Sequence, residues 1–131
     1  MAEMQQNIID DLTRVSPDAW RTLRILSELV QAFDTLNELQ RKCISIFGSA
    51  RATADSKDYQ AAEALANLLG RAGYGIITGG GLGIMEAANK GACEAGTDSV
   101  GLHIQLPFEQ GCNKYVTTLC NFRYFFCAKN I

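Results

Sequence analysis

Gly79, Gly80, Gly81 and Gly83 put four glycines into five positions of the stretch Gly75 to Asn89. An apolar run, Gly75-Ile76-Ile77-Thr78, precedes them, and Ile84, Ala87 and Ala88 recur on one helical face behind them. The pattern predicts strand, tight loop, helix. Residues without a Cβ let consecutive backbone N–H groups converge on an anion, and the first turn of the following helix adds unpaired N–H groups and the positive end of its dipole. The chemistry implied is phosphate binding by main chain, with no side-chain cation required. No Gly-Lys-Ser/Thr follows, so this is not a Walker A loop, and no frame satisfies the dinucleotide pattern G-x-G-x-x-G. The same glycines also suit a turn that packs a helix closely on a sheet, and the sequence leaves both readings open.

A second candidate loop, Gly48-Ser49-Ala50-Arg51, follows the apolar run Cys43 to Phe47. Loops at the carboxyl ends of parallel strands are where open α/β sheets bind ligands. Ser49 suits either a ligand hydrogen bond or a cap on its own turn; Arg51 is either an anion partner or a solvated surface charge. The single histidine, His103, alternates with Leu102 and Ile104 and is read as a side chain on one sheet face rather than a base or ligand. There is no Ser-His-Asp set and no H-E-x-x-H. The five cysteines (Cys43, Cys93, Cys112, Cys120, Cys127) form an odd set without a C-x-x-C pair, which argues against a disulfide framework or a zinc knuckle and for reduced thiols in a cytoplasm.

The elements that must position these loops follow from periodicity. Ser16-Pro17-Asp18 is a helix start, with a capping hydroxyl, proline at the first helical position and an acid in the first turn. The helix is expected to run to about Gln40. Trp20, Leu23, Leu26, Val30 and Phe33 make one stripe on it, and Ile25, Leu29, Leu36 and Leu39 make a second, so the apolar arc is wider than one packing surface needs. Either one side meets the sheet and the other a second subunit, or the helix is buried wholly within its own domain. A strand at Cys43 to Phe47, a helix from Lys57 to Ala72 stopped by Gly73, the strand Gly75 to Thr78, a helix from Gly83 to Ala95 ended by Gly96, and a strand around Ser99 to Ile104 make three parallel strands with two crossover helices. Phe108 to Tyr115 reads as a loop over the strand ends, Val116 to Phe122 as a short extended piece, and Arg123 to Ile131 as the opening of another helix.

Composition bounds the function. A chain of 131 residues, 47% hydrophobic and 20% charged, is an ordinary globular length for one domain: a helical segment about 1–40 and an α/β part about 41–131. A net charge of −2 argues against nucleic acid or an anionic membrane as the main partner. The polar first ten residues lack a secretory pattern, and no apolar run reaches the roughly 18 residues of a membrane span.

Several motifs fall in a recognisable order. Gly48-Ser49-Ala50, the run Thr78 to Ala92, Leu106-Pro107-Phe108-Glu109-Gln110 and Phe122-Arg123-Tyr124-Phe125-Phe126 resemble the LOG family, the cytokinin riboside 5′-monophosphate phosphoribohydrolases and bacterial AMP nucleosidases once mislabelled lysine decarboxylases. The resemblance covers roughly Lys42 to Lys129. It implies a Rossmann-like three-layer α/β fold with a parallel sheet, a homodimer, and hydrolysis of the N-glycosidic bond of a nucleoside 5′-monophosphate to free base and ribose 5-phosphate, with no metal or redox cofactor. Carried over by motif, Gly79, Gly80, Gly81 and Gly83 lie against the nucleotide with Ser49 beside them, Glu109 takes the place of a substrate-contacting glutamate, and Lys129 is the lysine of an Arg-Lys pair.

Two departures qualify that expectation. Where the family has Phe-Phe-x-Arg-Lys, this chain has Phe125-Phe126-Cys127-Ala128-Lys129, and Ala128 supplies no bidentate donor. The family's P-G-G-x-G-T-x-x-E loop, which carries a second phosphate cradle and the catalytic glutamate, falls beyond Ile131. The fold is therefore expected to be incomplete at its C-terminal half, with an unpaired edge on the strand Cys43 to Phe47, and catalysis is expected to be impaired. A binding module of the same fold, holding a phosphorylated ligand without cleaving it, is the alternative.

Overall fold

The computed structural model describes residues 2–5, 16–104 and 111–123. Helix α1 (Pro17–Asn37) starts as its sequence dictates: the Ser16 hydroxyl accepts from the Ala19 N–H at 3.1 Å, and Pro17 occupies the first turn, where its missing N–H costs nothing. It ends a little before Gln40.

The other elements follow in order: β1 (Cys43–Ser45), α2 (Lys57–Arg71), β2 (Gly75–Thr78), α3 (Ile84–Ala95), β3 (Ser99–Ile104) and β4 (Thr118–Phe122). All strand pairings are parallel, in the spatial order β1-β2-β3-β4. Strands β2 and β3 begin and end where the apolar runs predicted. Strand β1 is shorter than expected. Ile46 still donates to Ile77 O at 2.9 Å, but Phe47 is 89% exposed and outside the ladder. Helices α2 and α3 stop where glycine takes over, Gly73 and Gly96 both carrying positive φ.

The fourth strand is the main addition to the sequence reading. Residues 118–122, expected only as a short extended piece, pair with β3 from Val100↔Thr118 to Ile104↔Phe122. Among the described residues β1 pairs with β2 alone.

The helices take opposite faces of the sheet. Leu102 packs with Ala32 of α1 and with Cys120 and Phe122 of β4, while Ser99 hydrogen-bonds to Asn89 of α3. Residues 99 and 102 differ by an odd number, so the alternation of a strand sends them to opposite sides. The result is three layers: α1, sheet, then α2 with α3. Ala66 of α2, Ile76 of β2 and Ala88 and Ala92 of α3 form a fully buried cluster. Small residues allow close approach here: a Cβ on Gly91 would collide with the Glu63 carbonyl of α2.

On α1 the two apolar stripes separate. Ala32 is buried and Ile25, Leu29, Leu36 and Leu39 are half-buried on the sheet side, whereas Trp20, Leu23, Leu26, Val30 and Phe33 are exposed. Among the described residues no helix is long and apolar enough to cross a membrane.

Candidate functional site

The loop after β2 is built on a buried polar network. The Thr78 hydroxyl donates to Asn89 Oδ1 at 2.6 Å and accepts from the Gly80 N–H at 2.9 Å. Asn89, fully buried on α3, gives its amide protons to Ser99 Oγ at 2.9 Å and to the Val100 carbonyl at 3.4 Å, and Ser99 Oγ in turn donates to Asn89 O. Asn113 closes the set. Its side-chain amide donates to Asn89 Oδ1 at 3.1 Å and to Gly81 O at 2.9 Å, and its own N–H donates to Gly80 O at 2.8 Å. No buried side-chain N or O in the described residues lacks a partner. A satisfied network of this kind fixes geometry, because every alternative strands a polar group away from water.

The loop after β1 is seated directly on the glycine loop. Ser49 O accepts from the Ile84 N–H at 2.9 Å, and a Cβ on Gly83, whose φ is +69°, would run into Ser49 O and the Ala50 backbone. Gly80 also has positive φ, +74°. Gly79 and Gly81 leave room for the Met85 side chain: a Cβ on either would lie 2.8 Å from its Sδ or Cε. Gly83 thus has a packing reason and Gly80 a conformational one, Gly79 and Gly81 meet only the flexible end of Met85, and the binding reading must rest on what the loop faces.

It faces a cleft of 540 Å³ at the carboxyl ends of the strands, lined by Ala50, Gly81, Leu82, Met85, Glu86, His103 and the segment 111–114. Clefts of this size hold small-molecule ligands. The anion cradle is narrower than the motif suggested. The Gly80 N–H is committed to Thr78 and the Ile84 N–H to Ser49 O, while the amides of Gly81, Leu82 and Gly83 have no acceptor among the described residues.

Ser49 is not among the lining residues, and its hydroxyl accepts from the Arg51 N–H at 3.1 Å, capping its own turn. Arg51 is exposed and is not a lining residue. Glu109, Ala128 and Lys129 lie outside the described residues. His103 does sit on a sheet face, as its alternation predicted, but that face is the cleft floor. It is 8% exposed and lines the cleft.

Sequence reasoning did not single out Glu86, Cys112, Asn113 or Lys114. Glu86 was legible as a polar residue in the first turn of α3, on the side of the loop; the others come from a segment without periodicity. The Tyr59 hydroxyl of α2 donates to Glu86 Oε1 at 3.4 Å, and burial together with the Glu86 carboxylate pushes the tyrosine up to about 12. Lys114 places its ammonium 5.2 Å from the Tyr115 ring centroid, a cation–π contact at the cleft mouth. Among the described residues no group of three or more His, Cys, Asp or Glu is placed to hold a metal ion, and Cys43, Cys93, Cys112 and Cys120 are free thiols.

A parallel sheet covered by helices on both faces, with a ligand-sized cleft over its strand ends, defines a Rossmann-like α/β protein. The chain belongs to the SLOG cluster4 family, whose family model matches residues 41–120. Two structures of a molybdenum cofactor carrier protein agree on the fold. The Moco carrier protein from Chlamydomonas reinhardtii superposes with a TM-score of 0.51 at 28% identity, over 61% of this chain and 48% of that one. Another structure of the molybdenum cofactor carrier protein from the same organism gives 0.54 at 24% identity, over 63% and 50%. The molybdenum cofactor binding protein from the phototrophic bacterium Rippkaea orientalis gives 0.49 at 29% identity, over 62% and 50%. The chain spans about half the length of these solved structures. A comparison with curated proteins finds no match.

Proposed function

We propose that this chain binds a nucleoside 5′-monophosphate or a similar phosphorylated small molecule in the 540 Å³ cleft, with the phosphoryl group against the amides of the lining residues Gly81 and Leu82. The observation that carries the reading is the pairing of those open amides with a ligand-sized cleft, held in place by the Thr78, Asn89 and Asn113 network. Main-chain amides suit a phosphoryl group on a protein of net charge −2, because the attraction is local. Free thiols fit a cytoplasmic setting.

Titration of the chain with AMP tests it. Amide shifts confined to Gly79–Met85 and 111–114, with a measurable heat of binding, are expected; a folded sample that gives neither ends the proposal.

Holding the ligand without cleaving it is the reading supported by the likeness to a Moco carrier protein, at 28% identity and a TM-score of 0.51. Hydrolysis of the N-glycosidic bond is the second reading, supported by the LOG-like motifs from Gly48 to Phe126. Glycosyl transfer needs a carboxylate beside the anomeric carbon and a positioned water. Bound AMP that yields no free adenine supports carriage; adenine released at about 1–10³ s⁻¹ supports hydrolysis.

The homodimer implied by the resemblance has a surface to use. The stripe Trp20, Leu23, Leu26, Val30 and Phe33 is between 42% and 63% exposed, on the side of α1 away from the sheet. Contiguous apolar surface of this kind supports association between copies through α1.

A further inference from the structure

We infer that Glu86 is the specificity-determining carboxylate of the cleft, accepting hydrogen bonds from hydroxyl or amino groups on the part of the ligand that is not phosphate. The inference rests on the binding reading above and adds to it a second contact of opposite character.

The ordinary fates of a helical glutamate are closed to Glu86. It stands in the first turn of α3, where a carboxylate can reach back to the N–H of the cap residue, but the Gly83 N–H has no acceptor among the described residues. Its i,i+4 partner is Lys90, whose ammonium goes to Glu63 of α2 at 3.5 Å. Nor is Glu86 on the solvated face: it is half-buried and lines the cleft. Its one hydrogen-bond partner among the described residues is the Tyr59 hydroxyl.

An ionised carboxylate offers about four lone-pair sites and no donor. One is used by Tyr59, which is itself buried and, raised to about 12, remains a donor throughout the neutral range. The remaining sites repel phosphate and attract donors. A ligand that places its phosphoryl group on the Gly81 and Leu82 amides must therefore turn a hydrogen-bond donor toward Glu86, which lines the same cleft. Ribose hydroxyls and an exocyclic amino group are donors of that kind. Tyr59 acts through Glu86 and is a positioning residue: tethered from a neighbouring helix, the carboxylate loses less freedom when a ligand binds.

The test is calorimetric titration of the whole chain with orthophosphate, ribose 5-phosphate and AMP, for the wild type, Glu86→Gln and Tyr59→Phe, each first shown to be folded by its thermal transition. Glu86→Gln is expected to weaken AMP, ribose 5-phosphate or both by roughly 10- to 100-fold, with orthophosphate unchanged or tighter. Tyr59→Phe is expected to weaken the same ligands by a smaller factor. Equal losses for all three ligands, or no loss for any, overturn the inference while the binding reading stands. A wild-type chain that binds none of the three overturns both.

Discussion

Asn89 Oδ1 accepts the Thr78 hydroxyl proton at 2.6 Å, joining the middle of α3 to the last residue of β2. The same oxygen accepts from Asn113 at 3.1 Å, so one buried carboxamide ties strand, helix and the segment after β3 into one unit. With its proton committed to Asn89, Thr78 Oγ1 is left as an acceptor for the Gly80 N–H. The shape of the glycine loop is thus set from beneath.

Removing the carboxamide is expected to cost about 2–4 kcal/mol, since Asn89→Ala strands Thr78, Ser99 and Asn113 groups in the interior. Urea unfolding followed by circular dichroism measures this. A loss below about 0.5 kcal/mol, the size of an ordinary surface change, would show that water repairs the network.

Gly83→Ala forces a Cβ onto a backbone at φ +69° and into Ser49 O. A destabilisation of about 2 kcal/mol or more is expected, together with faster hydrogen exchange at the Ile84 amide, whose acceptor is that same carbonyl. Unchanged exchange at Ile84 would mean that the two loops are not coupled.

The exposed stripe of α1 gives a test of assembly. Light scattering on the wild type is expected to give the mass of a dimer, and Leu26→Glu combined with Phe33→Glu to give a monomer with unaltered helicity, because both side chains are more than half exposed and support no internal packing. A monomeric wild type removes the dimer proposal.

Alkaline pH should weaken the fold through Tyr59. Its hydroxyl is raised to about 12 in the folded chain, against an ordinary value near 10. Between those values the unfolded chain has lost the proton that the folded chain still holds, so stability is fully present below pH 10 and falls as pH rises toward 12. Tyr59→Phe should flatten that part of the pH profile in denaturant titrations. An equally steep profile in the variant would assign the loss to other groups.

Local pattern made much of the architecture legible. Strands β2 and β3 were bounded by their apolar runs, α2 by its periodicity from Lys57 and by Gly73, and α3 by the glycine loop and Gly96, while the Ser56 cap of α2 came to light only in the structure. Strand β4 was harder to see. Thr118 to Phe122 mixes exposed Leu119 and Asn121 with buried Cys120 and Phe122 in a five-residue alternation, and what makes it a strand is the neighbouring edge of β3.

The site was legible by halves. The glycine loop announced itself, but Ser49 proved to cap its own turn and the N–H groups of Gly80 and Ile84 proved to be spoken for within the protein. Hydrogen bonds between segments 35 residues apart leave no periodic trace in a sequence, and the Ile84 to Ser49 bond is one of them.

By itself the sequence determined that a parallel α/β sheet forms and that a loop without side chains sits between β2 and α3, because periodicity and glycine act over a few residues. The tertiary structure alone decided which amides stay open, that the His103 side of β3 floors a cleft, and that Glu86 turns toward the ligand space while Lys90 turns to Glu63. Those outcomes depend on which helix lies beside which, and that is a competition among distant partners for the same donors and the same space.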